Sequence, residues 1–196
     1  MSFKQSVAHA MQELAQNQVI SRWCDSSGGD ACDITDFDNP AGAILRDVRI
    51  EKYRDGATQS KVFRAACRVG GNNGWFRYNF LWQLRGLLDK ISGGYGLNRG
   101  RRHKRELRVG DALDFWKVVD LKEGKRLLLY AQMKVPGQAW LEFDVQPDQL
   151  VQTAHFIPRG LLGRLYWYSV WPLHQFVFSD MARTVVAKAG SLKERE

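Results

Sequence analysis

The chain has 196 residues, 44% of them apolar, 26% charged and 12% aromatic, with 29 lysines and arginines against 21 acids and a net charge of +8. That length suits one packed domain with an appendage, and the apolar content excludes intrinsic disorder. Three cysteines (Cys24, Cys32, Cys67) are too few, and odd in number, for a disulfide scaffold, so a reducing, cytoplasmic setting is expected.

Residues 3–18 place Val7, Met11 and Leu14 at helical spacing, and this polar opening lacks the apolar core of a secretory signal. From Trp23 to Leu45 there is no lysine or arginine, but there are Asp25, Asp30, Asp33, Asp36 and Asp38, which reads as a solvated linker. The acids lack the spacing of a calcium loop, so no metal is expected there. Residues 46–53 then alternate, with Val48 and Ile50 against Arg49 and Glu51, and predict a strand. Residues 59–69 place Val62, Phe63, Ala66 and Val69 on one helical face, with Cys67 beside them as a core residue. Glycines and asparagines at 70–74 break the chain, and a second helix is predicted over about 79–91.

Beyond residue 108 the period shortens to two. Runs at 112–119, 126–133, 139–145 and 150–157 predict four strands, joined by short turns at Lys122-Glu123-Gly124, Pro136-Gly137 and Pro147-Asp148. Turns this short make successive strands antiparallel neighbours. A long apolar, aromatic helix follows over about 160–189, with Pro172 inside it as an expected kink. Arg164, His174 and Gln175 make its apolar stretch a poor bilayer span, so it reads as a buried helix and not a transmembrane one; an interfacial membrane helix is the alternative. The expected fold is α+β of the helix-grip kind: a curved antiparallel sheet around the long C-terminal helix, with two short helices after the first strand. Three segments follow: 1–44 as helix and acidic linker, 45–190 as a helix-grip ligand-binding domain, and 191–196 as a charged tail.

Six strings carry a resemblance: GGNNGW at 70–75, LWQLRGLLD at 81–89, GGYGLNRGRR at 93–102, LRVGDALDFW at 107–116, MKVPGQAWLEF at 133–143 and PRGLLGRLYWY at 158–168. They resemble an uncharacterised domain found C-terminal to NAD(P)H-binding short-chain dehydrogenase-like proteins, over about residues 45–185. That domain is similar to the START/SRPBCC polyketide cyclase-like superfamily, which agrees with the element order. The resemblance implies a cavity for a small apolar or amphipathic ligand. No catalytic residues are established for the family, so none carries over. No Gly-x-Gly-x-x-Gly opens a strand–helix unit, and no NAD(P) or other cofactor is expected on this chain.

Candidate lining residues are Trp75, Trp82, Trp116, Trp140, Tyr166, Trp167 and His174. Alternation places Trp116 with Asp114, and Trp140 with Glu142 and Asp144. If the tryptophan-bearing parity faces the cavity, Asp114, Glu142 and His155 become acid–base candidates with raised carboxyl pKa values. If Leu141, Phe143 and Val145 face inward, Glu142 and Asp144 are solvated. A small-molecule-binding domain, a polyketide cyclase- or hydratase-like enzyme, and a docking module (a homodimer or a dehydrogenase-like partner) all remain open. The charge is local: residues 77–105 hold eight basic residues and one acid, densest at 99–105. Without a recognition helix or stacking platform beside it, this patch does not favour nucleic acid.

Overall fold

The computed structural model describes residues 44–54, 56–70 and 106–192. The expected helices at 3–18 and 79–91, the acidic linker, the 70–74 break beyond Gly70, the basic 99–105 segment, Trp75, Trp82, Cys24, Cys32 and most of the 191–196 tail lie outside these residues.

Strand β1 spans Leu45–Lys52 and helix α1 spans Gln59–Ala66. The strands β2 (Ala112–Leu113), β3 (Trp116–Lys122), β4 (Arg126–Ala131), β5 (Gly137–Val145) and β6 (Gln149–Pro158) follow, and helix α2 (Gly160–Gly190) closes the described chain. All strand pairs are antiparallel, in the order β1-β6-β5-β4-β3-β2. The result, among the described residues, is an α+β fold, a curved six-stranded sheet with the two described helices against one face.

Local chemistry accounts for these elements. The side chain of Thr58 accepts a hydrogen bond from the Lys61 amide and starts α1, satisfying one of the donors that a helix leaves unpaired at its first turn. Thereafter Val62, Phe63, Ala65 and Ala66 are buried. Period-two alternation directs Leu127, Leu129, Leu141, Phe143, Val145 and Leu150 to the helix side, where they are essentially inaccessible. The C-terminal half of α2 answers them with Val177, Phe178, Met181, Ala182, Val185, Val186 and Ala189. These are the i, i+3, i+4 positions of one helical stripe.

Three details correct the sequence reading. The expected strand 112–119 is broken, because Asp114 adopts φ 56° and a two-residue loop, Asp114-Phe115, reverses the chain between β2 and β3. Aspartate tolerates this conformation better than most residues do. Asp114 therefore does not share a strand face with Trp116. The second correction concerns β1, whose polar parity points inward. Asp47 lies opposite Ala154 and Arg49 opposite Gln152 on the helix side, while Val48 and Ile50 are 48% and 58% exposed. Third, α1 is shorter than the expected run to Val69, and Cys67 is its C-cap, buried in the core.

Close approach explains two glycines. A Cβ on Gly137 would overlap the Ile157 carbonyl, and one on Gly163 would overlap the Pro136 carbonyl and lie 2.8 Å from Pro158 Cα. Gly163 thus lets the first turn of α2 sit directly on the β4–β5 and β6 ends. Tyr53 secures the far end of the sheet, its hydroxyl donating to the Gln146 carbonyl. Burial, then the nearby Asp148 and Asp144, push that phenol up to about 12, so it remains a neutral donor at ordinary pH.

Gly163→Ala separates packing from propensity. In an unconstrained helix the change stabilises by about 1 kcal/mol. Here the added methyl collides with backbone, so a loss of about 1–3 kcal/mol in urea unfolding is expected. A raised urea midpoint contradicts this close approach.

Candidate functional site

Between the N-terminal half of α2 and strands β3–β6 lies a recess of about 140 Å³. Its walls are almost wholly apolar. The sheet supplies Trp116, Ala131, Ala139, Ala154 and Phe156, the β4–β5 connection supplies Met133 and Val135, and α2 supplies Tyr166, Trp167, Val170, Leu173, Val177 and Phe178. Small side chains on the sheet, Ala131, Ala139 and Ala154, leave the space that larger ones would fill. Trp167 stacks on Phe156 with ring centroids 5.7 Å apart and planes 8° from parallel, and Tyr166 packs on the same ring at 5.6 Å. The edge of His174 meets Trp167 at 5.1 Å, and its ring lies 4.6 Å from that of Phe178.

Five of the seven residues expected from the sequence, Trp116, Trp140, Tyr166, Trp167 and His174, border this recess, as does His155. Trp116 and Trp140 belong to opposite parities of the sheet. Trp116 joins the helix-side core, whereas Trp140 packs with Leu128 in a separate cluster, against Tyr130, Val119, Ile44 and Ile157. Alternation within each strand cannot relate the two: Trp116 pairs opposite Ala131 and Trp140 opposite Tyr130, adjacent β4 residues on opposite faces, and that register is not written in either strand's own pattern.

Polar residues fall into two groups. On the helix side, Asp47 is 6% exposed and its Oδ1 pairs with Arg49 at 2.7 Å, while its Oδ2 is buried without a hydrogen-bond partner. His174 Nδ1 stands 3.9 Å from that Oδ2. Gln152, 1% exposed, donates to the Phe178 carbonyl at 3.3 Å, and its Oε1 likewise has no hydrogen-bond partner. This group borders the recess through His174, Phe178 and Ala154, the β6 residue opposite Asp47. The sequence hid it, because charged residues in an alternating strand ordinarily mark the solvent face.

The second group shares Trp140's face of the sheet. Glu142 Oε2 accepts from His155 Nε2 at 2.8 Å and its Oε1 accepts from Arg126 Nε at 2.6 Å. Arg126 also donates to Asp120 at 2.8 Å. The His155 hydrogen bond first, opposed by burial, and then Arg126 hold the Glu142 carboxyl below its ordinary value. This reverses the expectation of a raised pKa. Leu141, Phe143 and Val145 do face the core. Glu142 is nevertheless a bound carboxylate and not a solvated one, and a carboxyl held below its ordinary pKa is poorly suited to donate a proton near neutral pH. Asp114 is buried in the β2–β3 turn.

Among the described residues no group of three or more metal-binding side chains converges, and no helix is long and apolar enough to cross a membrane.

The lowered Glu142 pKa sets a pH dependence. The unfolded chain binds this proton more readily than the folded one, so the stability contributed is present above about pH 4.5 and is lost as pH falls through the lowered value. Glu142→Gln is expected to lose about 1–3 kcal/mol at pH 7. The gap from the unsubstituted protein should narrow at pH 3 in urea unfolding. A gap equal at both pH values contradicts this assignment.

Residues 40–181 match the model of a family described as protein of unknown function, DUF2867. A comparison with curated proteins found no match. Similar solved structures include CalU16 from Micromonospora echinospora, at 15% identity over 78% of this chain and 87% of that one with a TM-score of 0.36. The Mll3558 protein from Rhizobium loti is 10% identical over 74% and 99%, with a TM-score of 0.40. Protein CV1439 from Chromobacterium violaceum is 14% identical over 72% and 97%, with a TM-score of 0.36. The family match takes in the sheet, the recess and most of α2, and the chain belongs to the DUF2867 family.

Proposed function

We propose that this chain is a small-molecule-binding domain of the helix-grip kind, holding a small apolar or amphipathic ligand between its sheet and α2. The recess carries the reading. Space walled by aromatic and aliphatic side chains is unusual in a domain core, where packing ordinarily leaves few voids larger than a water molecule. Here three alanines on the sheet face the N-terminal half of a helix whose C-terminal half is fully packed. The resemblance of residues 45–185 to START/SRPBCC-like domains supports the same reading.

Size bounds the ligand. Cavities of roughly 150 Å³ admit one benzene-sized ring, so the recess, at about 140 Å³, suits a single ring or a short branched chain. A larger molecule extends through the open side. Burial of such a body between Phe156, Trp167 and Val177 is driven by removal of apolar surface from water, at about 25 cal/mol per Å².

Benzene tests this directly. Methyl resonances of Ala139, Ala154 and Val177 should shift on titration, and Val170→Trp, which fills the recess from the helix side, should abolish the shifts. Unmoved methyls in the folded, unsubstituted protein contradict the proposal.

A further inference from the structure

Resting on the recess as a ligand site, a second feature specifies the ligand's polar end. Buried polar groups in native proteins nearly always have partners, because a donor or acceptor withdrawn from water without one is penalised. Just behind the recess wall formed by Ala154 and His174, two acceptors break that rule, with the equally unpartnered Arg49 Nε donor beside them. Asp47 Oδ2 and Gln152 Oε1 are buried and have no hydrogen-bond partner. They stand on neighbouring strands of the same sheet face, Asp47 opposite Ala154 and Gln152 opposite Arg49. Ala154 lines the recess, and His174 both lines it and faces Asp47 Oδ2.

Both orphaned oxygens are acceptors, so what they lack is a donor. The charge on the donor follows from Asp47's other oxygen, which Arg49 pairs at 2.7 Å. An ammonium head would meet Asp47 together with the Arg49 cation, and a carboxylate head would meet Arg49 together with the Asp47 anion. Neither ion gains a net counter-charge for the water it surrenders on entering an apolar recess. A neutral hydroxyl surrenders far less and supplies the missing donor. We infer that the recess takes neutral molecules with a ring-sized apolar body and a hydroxyl group, the hydroxyl donating to Asp47 at the β1 side of the recess.

Phenol and toluene, matched in size and differing in one hydroxyl, separate this inference from the function it rests on. An apolar recess alone prefers toluene, because a buried hydroxyl without a partner is penalised. With the Asp47 acceptor in place, phenol should bind about tenfold more tightly, the effect of one hydrogen bond to a charged group. Dissociation constants from methyl shifts of Ala139, Ala154 and Val177 read both, and Asp47→Ala should reverse the order in favour of toluene. If toluene binds the unsubstituted protein more tightly, the hydroxyl assignment is overturned and the recess stands. If phenol's preference survives in D47A, Asp47 is not its acceptor and the inference fails. If neither molecule binds, recess and inference fall together. Should D47A not fold, the ratio in the unsubstituted protein decides alone.

Discussion

The arrangement depends on one contact, the seating of the C-terminal half of α2 on the inner face of the sheet. Val177, Phe178, Met181, Ala182, Val185, Val186 and Ala189 join one buried cluster with side chains of β3–β6, the helix lying closest over β6 and β1, and α1 packs against the same helix. A helix that stayed equally close along all 31 residues would leave no room. Instead the seam is tight from Val177 onward, and Gly163 pins the first turn against the Pro136 and Pro158 backbones. Between these two anchors α2 spans the alanine-floored part of the sheet, and the recess is the space beneath the span. Sheet, helix and cavity are thus one consequence of where large and small side chains fall along β4–β6.

The polar groups sort by the same layering. On the helix side, Asp47, Arg49 and Gln152 intrude into an otherwise apolar layer near His174. On the other side, Asp120, Arg126, Glu142 and His155 form a connected chain of polar contacts. In the second group both Glu142 oxygens are engaged, which ties β4, β5 and β6 together. The first is not satisfied, and unsatisfied buried acceptors beside a cavity are where a ligand's polar group has most to gain.

Much of this was legible in the amino-acid order. The turns at 122–124, 136–137 and 147–148 predict an antiparallel meander, and β3 to β6 pair consecutively as those short loops require. The length and position of α2 follow from its apolar run. What failed to read were the faces. In β1 the sequence offers Val48 and Ile50 as the buried parity, but among the described residues it is an edge strand paired with β6, and it turns Asp47, Arg49 and Glu51 to the helix, where His174 and Arg183 stand near the two acids. Helix α2 is apolar on every side, with Leu161, Leu162, Leu165 and Phe176 each more than half exposed, so periodicity does not mark which face packs. At Asp114 a single left-handed residue ends one strand and begins another, an event that hydropathy does not register. The lining aromatics were found by residue type; the alanines that make the space, being small and unremarkable in a strand pattern, were not.

The central claim is that α2 is clamped over its second half and spans a ligand site over its first. Amide hydrogen exchange resolved along the helix measures it. Residues 177–189 should exchange near the rate of global unfolding, whereas 164–176 should exchange faster and slow when benzene is added. Uniform protection along the whole helix, unchanged by benzene, would contradict the account.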